Sequence, residues 1–360
     1  MNDIGILKLL CETTGVTGHE KGIATLIKSI FEKYCGEVAM DKFYNVTGVM
    51  KAKLHNGNVS LRDRPVRIMY TAHMDEIGMI VKKVLPKGFL KIGKISGVDP
   101  KTLISEKVVI HGNKGQIKGV VASIPPHLTN GEDKKKALMF DELYVDTGLH
   151  DVDLNELVCV GDIVSYAPSF ETQGMNMVSG KSLDDRAGIF TLIRIMQMLK
   201  ELSFSYDIFF HACVSEEFNS LGAKVGAYSI EPDVAVVIDM THGKAGIAES
   251  GEEQTFTLGK GPVVCRSPLL DTNLTYALID ICKAHKLKPL IEVDNKDTGT
   301  DALAVSVVGC GCKTALLSIP LKYMHSQVEM LNLNDIELTA QVLVNFALIN
   351  SANMEGYLCF

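Results

Sequence analysis

Apolar residues recur along most of the chain with the spacing of helices and of buried strands in turn. Segments 20–35, 186–202 and 333–350 repeat apolar residues at helical spacing, whereas 65–72 and 206–214 are short continuous apolar runs typical of buried strands. Strands alternating with helices predict an α/β domain built on a parallel sheet. The alternation continues with predicted helices at 220–229, 272–286 and 300–309 and predicted strands at 233–239, 288–294 and 313–319.

The pattern changes between Gly78 and Tyr166. Here short apolar segments are separated by frequent Gly and Pro, with no convincing long helix between them, which predicts a small all-β unit. The simplest organisation is one doubly wound, mostly parallel α/β sheet flanked by helices, formed by residues 1–77 and 170–360. A β domain at 78–169 would be inserted into one of its loops.

Composition limits the partners and the compartment. The 360 residues carry 36 basic and 43 acidic side chains, and this net charge of −7 argues against nucleic acid or an anionic membrane surface as a partner. No segment approaches the roughly 18 apolar residues of a membrane span, and the N-terminal stretch is typical of an amphipathic helix rather than a signal peptide. Nine cysteines, mostly in apolar segments, suit reduced thiols in the cytoplasm.

Side chains that bind metals follow several of the predicted strands. In open α/β sheets, sites form beyond the carboxyl ends of the strands. His73 and Asp75 follow the strand at 65–72, and their spacing directs both side chains to one side of an extended backbone. The other candidates at strand ends or before a helix are Asp184, Asp185, Glu216, Glu217, Asp239 and His325.

Each candidate also has an ordinary structural explanation. Asp184 and Asp185 could cap a helix, and Glu216 and Glu217 could be a solvated strand end. His73 could be a hydrogen-bonded histidine of the core or surface. The remaining alternatives are a turn at Asp239 and, in place of His325, either His211 or His242. The whole set favours metal binding over these alternatives, because two histidines and three carboxylates can build two metal sites that share one carboxylate.

Six motifs follow one another along the chain, with the β insert between the first two: AHMDEIG, SLDDRAG, SEEFNSLGAK, VIDMTHG, TGTDA and YMHSQVE. They resemble the tetrahedral (TET) aminopeptidases of peptidase family M-forty-two, which includes bacterial glutamyl aminopeptidases and proteins once called endoglucanase M. The resemblance implies a zinc-exopeptidase-like fold for the α/β domain and a dimerisation role for the β insert.

The resemblance also implies two divalent metal ions per subunit, with zinc favoured and cobalt or manganese as alternatives. Asp75 would orient the imidazole of His73, and Glu216 would be the general base. The implied ligands are His73, Asp239 and a bridging Asp184 for the first metal, and Asp184, Glu217 and His325 for the second.

The implied reaction is hydrolysis of the N-terminal residue from peptides, with two metal ions activating a bridging water and Glu216 taking its proton. Neighbouring residues of an extended segment point to opposite faces, so Glu216 and Glu217 can have different roles. The alternatives are a related dinuclear carboxypeptidase or N-deacylase, a glycosidase, which needs two facing carboxyl groups, and a metal-binding but inactive assembly protein.

The resemblance further implies a homo-oligomer, formed by dimers that can assemble into a tetrahedral dodecamer. The preferred N-terminal residue stays open. The sequence departs from the residues usual in the family at Phe218 and Asn219, directly after the two glutamates, and at Lys322.

Overall fold

The computed structural model describes residues 3–54, 64–123, 139–150, 153–244 and 254–358. Its helices are α1 (Asp3–Glu12), α2 (Lys21–Phe31), α3 (Pro100–Leu103), α4 (Leu183–Leu199), α5 (Glu216–Asn219), α6 (Leu221–Ile230), α7 (Thr272–Ala284), α8 (Asp301–Ser306), α9 (Leu333–Ala347) and α10 (Ser351–Leu358). Its strands are β1 (Glu37–Met40), β2 (Val46–Met50), β3 (Arg67–His73), β4 (Gly78–Val84), β5 (Phe89–Ile95), β6 (Lys107–Gly112), β7 (Gly115–Ala122), β8 (Tyr144–Asp146), β9 (Ile163–Tyr166), β10 (Glu171–Gln173), β11 (Met177–Gly180), β12 (Asp207–Cys213), β13 (Val234–His242), β14 (Val263–Arg266), β15 (Leu290–Val293), β16 (Lys313–Leu321) and β17 (Glu329–Asn332).

The largest sheet has eight strands in the order β1-β2-β12-β3-β13-β16-β14-β15. Its four central strands, β12, β3, β13 and β16, run parallel. Antiparallel pairs join β1 to β2, β2 to β12 and β14 to β16. The predicted parallel sheet is therefore confirmed at the centre. The sheet as a whole is mixed, because β1, β2 and β14, which were not predicted as strands, enter it through antiparallel pairs.

Alternate residues of the central strands enter two separate cores. In β3, Ile68 and Tyr70 pack into one core and Met69 packs into the other, as the alternation of side chains along a strand requires. The first core is completed by α1, α2, α4, α7 and α9, and the second by α6 and α8. Helices therefore flank both faces of the sheet, as predicted.

A closed barrel is formed between Gly78 and Tyr166 by six antiparallel strands in the order β4-β5-β8-β7-β6-β9. The prediction of all-β structure in this section is confirmed, although 124–138 and 151–152 lie outside the described residues. The barrel has an apolar core of its own, which includes Met79, Leu90, Ile110, Val145 and Val164.

A third, three-stranded sheet, β10-β11-β17, was not predicted. Its register pairs Gly180 at the end of β11 with Glu329 at the start of β17. Because β11 leads through Ser182 into α4, this pairing carries Glu329 next to the first turn of α4, where Asp184 lies. The small sheet therefore joins two stretches of the candidate site that are far apart in the sequence.

Candidate metal centre and active site

The predicted site residues gather at the carboxyl ends of the central parallel strands. His73 is the last residue of β3, Asp239 lies near the end of β13, and His325 follows β16. Glu216 and Glu217 come shortly after β12. Because parallel strands end at the same edge of a sheet, residues from four strands meet there.

The structure brings the predicted ligands together as two groups that share one residue. Potential ligand atoms of His73, Asp184 and Asp239 lie within 4.8 Å of one another, and so do those of Asp184, Glu217 and His325. We call these groups the first and second triads. The imidazole of His73 places Nε2 3.2 Å from Asp184 Oδ1, and that of His325 places Nε2 3.5 Å from Asp184 Oδ2. The two oxygens of Asp184 thus face different triads.

Asp75 lies behind His73 and supports the loop that carries the glutamates. Its Oδ1 is 3.4 Å from His73 Nδ1, on the side of the ring away from Asp184. The same carboxylate accepts hydrogen bonds from the backbone amides of Glu216 (3.0 Å) and Glu217 (3.3 Å) and from the Thr17 hydroxyl (2.8 Å). A fully buried carboxylate thus fixes the loop and lies close to the ring.

The two adjacent aspartates make different contacts. Asp185 Oδ1 accepts the amide of Gly188 at 2.9 Å, which is a bond typical of a helix N-cap, and its Oδ2 accepts the amide of His73 at 3.1 Å. Asp184 makes no such cap and points its carboxylate at the two histidines. The capping alternative therefore describes Asp185.

Glu216 and Glu217 open the short helix α5, so the expectation that they lie in an extended segment is wrong. Their carboxylates nevertheless face different histidines. Glu216 Oε2 lies 4.0 Å from His73 Nε2, and Glu217 Oε1 lies 3.1 Å from His325 Nε2. Ser215, directly before them, has a positive φ of 57°. Separate roles for the glutamates remain compatible with this geometry.

The two competing histidines lie elsewhere. His211 is buried within β12, where Nδ1 lies 3.0 Å from the Thr47 hydroxyl and Nε2 faces the carbonyl of Gly222. Burial lowers the pKa of His211 to about 4, so its ring is neutral. His242 lines the same cavity as the triads but belongs to neither of them.

Two buried acids at the site were not assigned a role from the sequence. Glu329 accepts the backbone amides of Asp184 (3.1 Å) and His325 (2.8 Å), and thereby holds a residue of each predicted metal site. Asp301, at the start of α8, accepts the thiol proton of Cys213 at 2.8 Å and leaves Oδ1 without a partner. Glu329 lies in the motif YMHSQVE and Asp301 in the motif TGTDA. These motifs were the signal in the sequence that could have identified the two acids.

A cavity of about 480 Å³ opens in front of the triads. Glu216 and Glu217 line it, and Glu292 and Asp294 contribute further carboxylates. The carboxylate of Glu292 accepts a hydrogen bond from Thr241 Oγ1 at 2.6 Å. No Lys or Arg lines the cavity in the described part of the chain. The space is therefore strongly acidic.

The charges at the site favour bound cations. Burial, together with the neighbouring acids, raises the pKa of Glu216 to about 10 although the charge of His73 opposes this. Burial and the charge of Asp184 likewise raise the pKa of Asp239 well above its usual value. Crowded buried carboxylates are costly unless positive charge compensates them. Two imidazoles and three carboxylates in two triads are a donor set that fits divalent metals of the zinc class.

None of the helices in the described part of the chain has the length and apolar content that a membrane crossing requires.

Comparison with known proteins places this arrangement among peptidases. Over 346 residues the chain is 32% identical to a lysyl aminopeptidase of Pyrococcus furiosus, an alignment that covers 95% of this chain and 96% of that protein. A TET aminopeptidase from a marine sediment archaeon of the Thaumarchaeota superposes with a TM-score of 0.90 at 26% identity, covering 99% and 98% of the two chains.

A third similar protein is the TET1 peptidase of Pyrococcus horikoshii, with a TM-score of 0.82, 28% identity and coverage of 97% and 100%; it can assemble into a tetrahedron or a large octahedral shell. The family model described as M42 glutamyl aminopeptidase matches residues 57–342, which include every candidate ligand. The chain belongs to the M42 glutamyl aminopeptidase family and is an aminopeptidase.

Proposed function

We propose that the chain releases N-terminal residues from peptides at a centre of two divalent cations. His73, Asp184 and Asp239 would hold one cation, and Asp184, Glu217 and His325 the other. The observation that carries the proposal is the sharing of Asp184, because its two oxygens face the histidines of two different triads at 3.2 and 3.5 Å. A carboxylate shared in this way is typical of dinuclear hydrolytic sites.

The cations would supply Lewis acidity, which polarises the scissile carbonyl and acidifies the attacking water. Zinc fits the imidazole and carboxylate donors, and cobalt and manganese accept the same set. The Nε2 atom of His73 faces Asp184, while Nδ1 faces Asp75. Asp75 thereby orients the ring and favours the tautomer in which Nε2 is free to bind.

Glu216 is the proposed general base. Its side chain is 12% exposed, reaches the cavity, and lies 4.0 Å from His73 without belonging to either triad. A carboxylate in this place can take a proton from the attacking water and later give it to the leaving amine. The backbone bonds from Glu216 and Glu217 to Asp75 hold the base at a fixed position relative to His73.

The cavity favours substrates with a basic N-terminal residue. Two cations would balance the four carboxylates of Asp184, Glu216, Glu217 and Asp239, which leaves Glu292 and Asp294 without a compensating Lys or Arg among the described lining residues. Thr241 holds the Glu292 carboxylate in place. A lysine or arginine side chain would supply the missing charge. The lysyl specificity named for the Pyrococcus furiosus relative agrees with this proposal.

We further propose that residues 78–169 are a dimerisation domain inserted into a zinc-exopeptidase-like domain formed by 1–77 and 170–360. The assembly of the TET1 peptidase into a tetrahedron supports a homo-oligomer. We propose that the oligomer is formed from dimers that can assemble into a tetrahedral dodecamer. Buried free thiols such as those of Cys11 and Cys282 are compatible with a reducing cytoplasm.

A panel of aminoacyl anilides tests the function. The protein is treated with a chelator, reloaded with zinc, cobalt or manganese separately, and assayed on each anilide with a free and with an acetylated α-amine. We expect metal-restored cleavage of free-amine substrates alone. Release of acetate instead of the aniline from the acetylated substrates would indicate an N-deacylase, and release of only the C-terminal residue from an N-acetylated peptide assayed alongside would indicate a carboxypeptidase.

A further inference from the structure

A loop of the barrel contacts a predicted metal ligand. Ser96 follows β5, and its hydroxyl lies 2.8 Å from Oε2 of Glu217 and within hydrogen-bond distance of the backbone carbonyl of the same residue. The hydroxyl has one proton to donate. Both acceptors belong to Glu217, so either bond holds that residue against the barrel loop.

The two carboxylate oxygens of Glu217 have different neighbours. Oε2 accepts from Ser96, whereas Oε1 lies 3.1 Å from Nε2 of His325. Fixing Oε2 leaves the carboxylate little freedom to rotate, so Oε1 stays directed at the second triad. This is the arrangement by which a neighbouring group orients a metal-binding carboxylate.

The residue after Ser96 contacts the other outer ligand of the same triad. A Cβ atom on Gly97 would lie 2.4 Å from Nδ1 of His325, which is closer than real Cβ contacts. Only glycine lets the barrel loop approach the imidazole so closely. Ser96 itself has a φ of 65°, so its backbone is in the left-handed region, and in this conformation its hydroxyl contacts Glu217.

The first triad is held by other parts of the chain. The backbone amide of His73 donates to Asp185, and Asp239 Oδ1 accepts the amide of Met240. These partners lie on α4 and β13, outside the barrel. Contacts from the barrel loop thus reach Glu217 and His325, which belong to the second triad alone.

We infer that Ser96 is a positioning residue for the second metal, so that the barrel tunes one of the two metal affinities and leaves the other unchanged. The inference rests on the proposed two-metal function. Residues that orient ligands typically contribute 10- to 100-fold to metal affinity. The loop therefore gives the barrel a role in the active site in addition to its proposed role in dimerisation.

The test is metal titration of the full-length chain after chelation, with Ser96→Gly as the variant. Glycine tolerates the positive φ, so the substitution removes the hydroxyl without straining the backbone. Ser105→Gly is the matched control, because Ser105 lies in the same barrel with a φ of 68° but is exposed and outside the cavity lining. Calorimetry gives the number and affinity of the binding steps, and the visible absorption of bound cobalt(II) reports the coordination of each ion.

We expect Ser96→Gly to weaken one of two cobalt-binding steps by about tenfold or more and to alter the spectrum of that ion only. Gly97→Ala, which displaces His325, should weaken the same step, and Ser105→Gly should bind like the parent. Two unchanged steps, or two steps weakened equally, would overturn the inference. A parent chain that binds fewer than two ions would instead contradict the proposed function, so the two failures are distinguishable.

Discussion

The carboxylate of Glu329 accepts a hydrogen bond from the backbone amide of His325 at 2.8 Å. His325 has a φ of 61°, a conformation that costs free energy for residues other than glycine. The second oxygen of Glu329 accepts the amide of Asp184 at 3.1 Å. One buried acid therefore fixes the backbone at a ligand of the second triad and at the ligand common to both.

Replacement of Glu329 by glutamine should weaken the binding of both metals. The amide NH₂ group cannot accept a backbone N–H, so one of the two hydrogen bonds is lost and a buried donor is left unpaired. We expect metal affinity to fall by roughly 10- to 100-fold, measured by competition with a chelating dye. Glu337→Gln is the control, since Glu337 lies on the surface in an ion pair with Arg194. Unchanged affinity in Glu329→Gln would show that this contact does not position the ligands.

Neutralising Glu292 should reduce the preference for basic N-terminal residues. In Glu292→Gln, the ratio of kcat/KM for lysyl anilide to that for leucyl anilide is expected to fall about tenfold, which corresponds to about 1.4 kcal/mol. Asp280→Asn removes the same charge from the exposed face of α7, where Asp280 pairs with Lys283, and should leave the ratio unchanged. An enzyme that prefers glutamyl anilide would contradict the proposed selectivity while leaving the aminopeptidase function intact.

His211 should make the fold less stable in mild acid. Its pKa is about 4 in the folded chain against 6.5 for the unperturbed group, so the unfolded chain binds more protons between these values. The contribution of the neutral His211 ring to the free energy of unfolding is complete above pH 6.5 and is lost as the pH falls towards 4. Between pH 7 and pH 5 the free energy of unfolding of the metal-free chain should fall by about 2 kcal/mol more than that of His211→Gln.

The measurement is urea unfolding of both proteins at each pH, with chelator present throughout. Comparing the two proteins removes the effect of carboxylates that titrate in the same range. Equal losses would mean that His211 is protonated without cost in the folded chain.

Motifs at the ends of apolar runs and before a helix were sufficient to select the members of the two triads. His73 and Asp239 lie at or near the ends of strands that are continuous apolar runs, and His325 follows such a strand, so their meeting at one edge of the sheet follows from parallel pairing. The contribution of Glu329 depends instead on the unpredicted pairing of β11 with β17. That pairing joins short strands with weak periodicity, which carry little signal in the sequence.

The other differences between the predictions and the structure come from long-range contacts and from local backbone geometry. Ser96 lies 121 positions before Glu217, and nothing in the spacing indicates that a barrel loop reaches α5. The helix at Glu216 was missed because four residues are too few for a helical period to show. His211 lies inside β12, whereas His73 is the last residue of β3 and His325 follows β16.

The most direct test of the account is turnover by Glu216→Gln with its metal content measured in the same sample. We expect the variant to retain the metal of the parent, because Glu216 belongs to neither triad. Its kcat on a free-amine aminoacyl anilide should fall by at least 10²-fold, the usual contribution of a general base. Full metal content together with activity near that of the parent would contradict the assignment of Glu216 as the base on which the proposed mechanism depends.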